Sequence, residues 1–560
     1  MRQSLLNVLL LLLSLAGLVV SYAPTKAHCP KHEQSLLRTA KSLSDDETKW
    51  IAKRQKKTTK SFIKFLEGSN LTDFTEYDSV KDLVHSFKKP VTLAAAFSGG
   101  GYRAMLNGAG QLAALDSRTE GADEHGLGGL LESLTYISGL SGGSWLLGTV
   151  VLNEWASIQS IIDQEKIWNL TSSILYPSTS STKNLLYFEK LFKAAVSKKE
   201  AGFDISAIDI WGLALANQFF PTLEYDNLTW SGVQKLDAFR NHDMPFPVIS
   251  TNSGPPGSNL SALDAISTEF NPYEFGSWHR YVNSFTDLTY LGTDVVNGKP
   301  TGKECTKGFD NAAFIIGSSS DIFVGTGAAI LFAGLGAYTA LPEVADYLDQ
   351  LNPEYESYAI YKPSPFYEFD NDLNPFLQVS EILLSADGGS SDEVVPFEPL
   401  IQPIRGVSTI FAFDSSADTD ENWPDGESLW YTYERLQTYD NGSIPFPEMP
   451  TPETFISKGL NKRPTFFGCK ADSDVPLVVY VPNINVSHAS NVSTSTLSFS
   501  DEQKLAFIKN GFEGATRNNL TEDSNYRTCI ACASIAKSLQ ENNIEFGTQC
   551  QSCFDDYCYN

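Results

Sequence analysis

Read as a pattern of apolar and polar positions, the chain changes texture at Val91. Residues 22 to 90 form a polar entry region in which Ser44-Asp-Asp-Glu47 marks a helix start. The pairs Lys53-Arg54 and Lys56-Lys57 within that helix read as a solvated face rather than as processing sites. From Val91 onward, short apolar runs end in glycine turns and open into helical patterns. This alternation predicts an α/β fold with its working residues at strand C-termini. The expected architecture is a three-layer α/β/α hydrolase-like catalytic domain with a mixed central sheet, large insertions and a cysteine-rich C-terminal tail. No repeat and no linker divides the chain, so residues 22–560 are expected to form a single large catalytic domain, its tail at 529–558. Val324 to Tyr338, apolar and rich in glycine, is too short to span a bilayer and is expected to pack inside, flooring an apolar groove.

Three strand-to-turn junctions stand out. Leu134-Thr-Tyr-Ile-Ser138 is rich in strand formers and runs into Gly139-Leu-Ser-Gly-Gly143. The apolar Ser144-Trp-Leu-Leu-Gly-Thr-Val-Val-Leu-Asn153 then continues as a buried helix. Strand, Gly-x-Ser-x-Gly, helix is the context of a nucleophile elbow, which thrusts the Ser141 hydroxyl toward a substrate carbonyl. Val91-Thr-Leu-Ala-Ala-Ala-Phe97 leads into Ser98-Gly-Gly-Gly-Tyr-Arg-Ala-Met105, three glycines opening a helix. Unshielded amides at a helix N-terminus suit an oxyanion; a bound phosphate or a plain tight turn is the alternative, and no Lys follows as in a Walker loop. Ile382-Leu-Leu-Ser-Ala-Asp387-Gly-Gly389 holds a carboxylate on a turn of the same style.

Histidine usage narrows the mechanism. A Ser, acid, His order needs a histidine after Asp387, and only His488 lies there, inside a Ser/Thr/Asn-rich loop from Asn485 to Ser500. The simpler arrangement is a Ser141–Asp387 dyad, with the carboxylate taking the serine proton directly. That role requires surroundings that raise the basicity of the aspartate.

Hydrophobic residues make up 42% of the 560, enough for a large core, while a formal net charge of −26 argues against nucleic acid and against anionic membrane surfaces. Arg2 followed by an apolar run from Leu5 to Val20 reads as a secretory signal peptide ending near residue 21. A secreted protein accounts for the N-x-[ST] acceptors at Asn70, Asn169, Asn227, Asn259, Asn441, Asn485, Asn491 and Asn519. The expected location is extracellular or in the cell-wall space, soluble and without a glycolipid-anchor signal. The eight cysteines end in Cys529-Ile-Ala-Cys532 and Cys550-Gln-Ser-Cys553, a zinc-ribbon spacing that behind a signal peptide is read as disulfides instead. Four bridges are expected, with Cys29 joined to a distant partner, and no metal.

The glycine turn 98–105, the Gly139–Trp145 elbow and Ala386-Asp-Gly-Gly389 together resemble the lysophospholipase/phospholipase B family of fungi, whose catalytic domain is shared with the cytosolic phospholipases. Phe270-Asn-Pro-Tyr-Glu-Phe-Gly276, Asp420-Glu-Asn-Trp-Pro-Asp-Gly426 and the cysteine-rich tail are similar to the same family. The resemblance implies Ser141 as nucleophile, Asp387 as its partner, Gly100 and Gly101 as oxyanion donors, and Arg103 near the lipid phosphate. A structural ion pair is the other reading of Arg103. It further implies lysophospholipid and phospholipid substrates, transient contact with lipid surfaces, and no cofactor; an acyl-enzyme on Ser141 could also pass its chain to a second lipid. The calcium-binding membrane domain of the cytosolic relatives has no visible counterpart, so calcium dependence is not expected. A patatin-like acyl hydrolase and a non-catalytic secreted glycoprotein are the competing classes.

Overall fold

The computed structural model describes residues 22–30, 35–221, 228–321, 348–369, 377–440 and 442–559. The N-terminal segment read as a signal peptide, Asn227, Asn441 and the apolar run Val324 to Tyr338 lie outside them.

A mixed sheet of twelve strands organises the chain. In chain order these are β1 (Leu37–Thr39), β2 (Leu93–Phe97), β3 (Leu134–Leu140), β4 (Phe246–Gly254), β5 (Ile266–Phe270), β6 (Glu274–Ser277), β7 (Ser284–Asp287), β8 (Ala359–Tyr361), β9 (Leu383–Ala386), β10 (Thr409–Asp414), β11 (Thr465–Phe467) and β12 (Leu477–Pro482). Their spatial order is β11-β12-β10-β2-β3-β4-β5-β6-β7-β1, with β9 on β4 and β8 on β9. The pairs from β12 through β10, β2 and β3 to β4 are parallel, and the flanks are antiparallel. The mixed sheet expected from the sequence is therefore present. Every residue of β2 and β3 is buried, as strands covered on both faces require.

Helix α1 (Asp45–Glu67) starts where the sequence predicts it, with the Ser44 side chain accepting the Glu47 amide. Helix α2 (Gly101–Leu115) and helix α3 (Gly142–Leu152) follow β2 and β3 and are buried along their whole length. Helix α3 is apolar on every side and has no solvent face, whereas α2 also buries a polar stripe of Arg103, Asn107 and Gln111, of which Arg103 and Asn107 bond Ser415.

One expectation is corrected in α1. Lys53, Lys56 and Lys57 are exposed, but Arg54 is only 2% exposed. Its Nε and Nη2 donate to Leu134 O at 3.0 and 2.7 Å, and Nη1 donates to His242 O at 3.0 Å. The cause is periodicity: Trp50, Ile51, Arg54, Thr58, Phe62 and Phe65 fall on the buried stripe of the helix, so the dibasic pair is split between core and solvent.

All eight cysteines are bridged: Cys29–Cys305, Cys469–Cys558, Cys529–Cys553 and Cys532–Cys550. Cys29 does reach a distant partner, 276 residues away. The tail forms two helices, α4 (Tyr526–Asn542) and α5 (Thr548–Tyr557). Cys-x-x-Cys places two sulfurs on one helical face, and here the two faces oppose each other sulfur to sulfur instead of converging on a metal. Among the described residues, no helix is long and apolar enough to cross a membrane.

Candidate active site

The topology brings two distant turns to one place. On one edge of β4, residues Phe246 to Ser250 pair with β3 running parallel, while Asn252 to Gly254 pair with β9 running antiparallel. The two neighbours therefore approach head to head, and their C-terminal ends meet beside Thr251. Those ends are Ser141, after β3, and Asp387, after β9. Thr251 marks the seam: its hydroxyl hydrogen-bonds Ser385 Oγ at 2.7 Å and donates to Ala386 O.

Ser141 adopts φ 51° and ψ −120°, a conformation that ordinarily belongs to glycine. Its amide donates to both Ser319 O and Ser319 Oγ at 3.1 Å, and Ser319 Oγ in turn donates to Ser250 O at 2.6 Å. Its carbonyl accepts from Ser144 Oγ at 2.6 Å. These bonds fix the elbow, and the side chain stays 5% exposed at the floor of a cleft.

Asp387 is 9% exposed. Burial pushes its carboxyl up to about 6; hydrogen bonds from the Ser141 hydroxyl and the Gly389 amide oppose that rise. Gly389 N–H donates to Oδ1 at 2.8 Å. Asn252 Nδ2 reaches Ser391 Oγ at 3.0 Å and Gly388 O at 3.3 Å, pinning the turn that carries the aspartate. A carboxylate that lines the same cleft as the serine, with its basicity raised by burial, is equipped to accept the serine proton.

The glycine turn closes over the elbow. Gly100 and Gly101 have φ 128° and 59°, and Gly101 opens α2. Gly99 N–H donates to Val394 O at 3.0 Å. The amides at the start of α2 have no intrahelical acceptor and lie at the positive end of the helix dipole. A Cβ on Gly142 would sit 2.2 Å from Gly101 O and 2.9 Å from Gly101 N. Only glycine permits this approach, which sets the first turns of α2 and α3 side by side. Gly142, the residue after the serine, was not singled out in the sequence reading, although the elbow pattern contains it.

Arg103 is 1% exposed and, among the described residues, forms no ion pair. Nε donates to Ser415 O at 2.8 Å and Nη1 to Val492 O at 2.6 Å, while Nη2 is buried without a hydrogen-bond partner. A Cβ on Gly100 would lie 2.6 Å from Nη2, so this nitrogen occupies the space above the glycine turn. Burial lowers the guanidinium to about 10, against the field of Asp418 and Asp414.

The cleft has a volume of about 400 Å³ and is lined by Gly100, Arg103, Ser141, Asp387, Asp418 and Thr494, among others. No histidine is among its described lining residues. His488 packs its ring on Phe507, 5.1 Å between centroids. Thr494 and Val492 come from the segment 485–500, which is a loop as its Ser/Thr/Asn content predicts, and its backbone covers Gly101 and holds Arg103. Of the acceptors, Asn70, Asn169, Asn259 and Asn485 are exposed and Asn519 is half-buried, while Asn491 donates through Nδ2 to Glu421 O at 2.7 Å.

The lysophospholipase catalytic domain model matches residues 93–560. The chain is 41% identical to a lysophospholipase of Torulaspora delbrueckii, over 96% of this chain and 85% of that one. It is 43% identical to lysophospholipase 3 of Saccharomyces cerevisiae, over 96% of this chain and 81% of that one. Human GIVD cytosolic phospholipase A2 shares the fold, with a TM-score of 0.67 and 19% identity over 91% of this chain and 67% of that one. With every site motif inside the matched region, the chain belongs to the lysophospholipase catalytic-domain family of carboxylic-ester hydrolases.

Proposed function

We propose that this protein is a secreted lysophospholipase/phospholipase B that releases fatty acid from lysophospholipids and phospholipids through a Ser141–Asp387 dyad. The observation that carries the reading is the meeting of Ser141 and a buried Asp387 in one cleft, at the junction of β3 and β9. As Ser141 Oγ bonds to the ester carbonyl carbon, its proton passes to Asp387. The carbonyl oxygen gains negative charge and is held by the amides of Gly100 and Gly101, with Gly142 adjoining. The carbon–oxygen bond to the glycerol then breaks, and Asp387 returns the proton to the leaving alkoxide. Water repeats the sequence on the acyl-enzyme, with Asp387 as base, and frees the fatty acid. A second lipid hydroxyl in place of water gives transacylation. Arg103, with Nη2 free above Gly100, pairs with the lipid phosphate.

Secretion is supported by the apolar Leu5 to Val20 run, the fully bridged cysteines and the four exposed acceptors. Fatty-acid release from lysophosphatidylcholine tests the dyad. Ser141→Ala is expected to abolish it, and Asp387→Asn to reduce kcat by about 10²–10⁴. Full activity in either variant overturns the proposal.

A further inference from the structure

The stretch Asp414 to Glu427 contains the whole Asp420-Glu-Asn-Trp-Pro-Asp-Gly426 motif, which the chemistry above does not use. It folds back on itself: Ser416 Oγ donates to Asp418 Oδ2 at 2.7 Å, Asp425 N–H donates to the same oxygen at 3.2 Å, and Glu427 N–H donates to Asp425 Oδ1 at 3.0 Å. The result sets one carboxylate oxygen each of Asp418, Asp425 and Glu427 within 4.8 Å of one another. Asp418 and Glu427 line the same cleft as Ser141 and Asp387.

The charges that act most strongly on these three groups are those of other carboxylates, Asp414, Asp392 and Glu453 among them, and no described side chain forms an ion pair with any of the three. Burial and the charge of Asp414 push Asp418 up to about 8. A bound cation would restore its ionised form. The opposite charge in the cleft is Arg103, almost wholly buried, with Nη2 unpartnered above Gly100. A buried guanidinium N–H without an acceptor points to an anionic group that arrives with the ligand. A bare metal ion would meet that guanidinium as a like charge. A zwitterion carrying a phosphate and, a short bridge away, an ammonium satisfies both poles.

We infer that Asp418, Asp425 and Glu427 form an ammonium subsite that, together with Arg103, selects lysophospholipids with a cationic headgroup. The inference rests on the lysophospholipase reading above and adds the residues that choose among headgroups.

The first arm of the test uses the wild-type protein alone. Fatty-acid release by the wild-type protein is measured at neutral pH, with and without EDTA, on lysophosphatidylcholine and on its 3,3-dimethylbutyl analogue, in which carbon replaces nitrogen. The shape is kept and the charge is removed. The expected result is a KM about tenfold higher for the neutral analogue, the size of one charged contact, with kcat similar and EDTA without effect. The ratio is expected to collapse toward unity in Asp418→Asn/Glu427→Gln. Equal kinetics of the wild-type protein on both lipids would overturn the subsite while leaving lysophospholipase action standing. Loss of the choline preference in EDTA and its return with Ca²⁺ would assign the carboxylates to a metal and overturn it too. Hydrolysis of neither lipid would bring down the lysophospholipase reading itself, and the subsite with it.

Discussion

Ser319 holds the backbone of Ser141 with both of its oxygens. Its carbonyl and its hydroxyl each accept the Ser141 amide at 3.1 Å, from 178 residues away in sequence. The hydroxyl is itself oriented by donating to Ser250 O. The elbow conformation, unfavourable for any residue with a Cβ, is thus maintained from outside its own strand and helix.

A direct consequence concerns stability. Ser141→Ala keeps the Cβ at φ 51°, whereas Ser141→Gly removes it. The glycine variant is expected to be more stable than the alanine variant by about 1 kcal/mol, relief of strain outweighing the backbone entropy of glycine. Thermal unfolding of the two inactive variants checks this. Equal midpoints would mean that the elbow stores no strain.

The approach of Gly142 to Gly101 makes a second prediction. A Cβ at Gly142 would press against Gly101 O at 2.2 Å and force the two helix starts apart. Gly142→Ala is expected to lower kcat by about 10²–10³, the scale of losing an oxyanion donor. KM for lysophosphatidylcholine should change little. A variant with near-normal kcat would show that the amides need no such proximity.

The pH dependence follows from Asp387. As a base it must be ionised, so kcat/KM is expected to fall as the pH drops below about 6. Stability runs the other way. Below the ordinary carboxylate value the folded and unfolded chains both carry the proton. Above it the unfolded chain releases the proton while the folded chain retains it up to about 6, so folding loses stability as the pH rises through that window. The loss at neutral pH is at most about 3 kcal/mol. Asp387→Asn should therefore melt higher than wild type at pH 7.5 and not at pH 3.5. Parallel melting curves at both values would contradict a buried, raised carboxylate.

The tail offers a fourth test. Cys532–Cys550 closes a loop of 18 residues between α4 and α5. Replacing both cysteines with serine is expected to cost about 3 kcal/mol, read as a lowered unfolding midpoint, with no response to chelators in wild type. Stoichiometric zinc in the purified protein would contradict the bridges.

Much of this site was legible in the sequence because its parts are local. Ser141 between glycines, Gly100 and Gly101 before a helix, and Asp387 before Gly388 are each fixed by a few neighbours, since strand-end turns need residues that tolerate positive φ or close approach. The cysteine spacing likewise fitted bridges, though not their pairing. That Arg54 lies in the core rather than in solvent was not legible, because a charge in the sequence carries no sign of which helical face it occupies. Ser319, Asn252 and Thr251 left no local signal at all, being ordinary polar residues whose partners are distant.

What the sequence by itself determined is the set of turns and the residue types placed on them. What only the tertiary structure decided is that β3 and β9 run toward each other along one edge of β4, bringing Ser141 and Asp387 into one cleft. The same holds for the meeting of Asp418, Asp425 and Glu427, of which Asp418 and Glu427 line the cleft of Arg103. The physical reason is that hydrogen-bond pairing between strands, and the burial that raises a carboxyl, depend on residues hundreds of positions apart. A turn depends only on its own backbone.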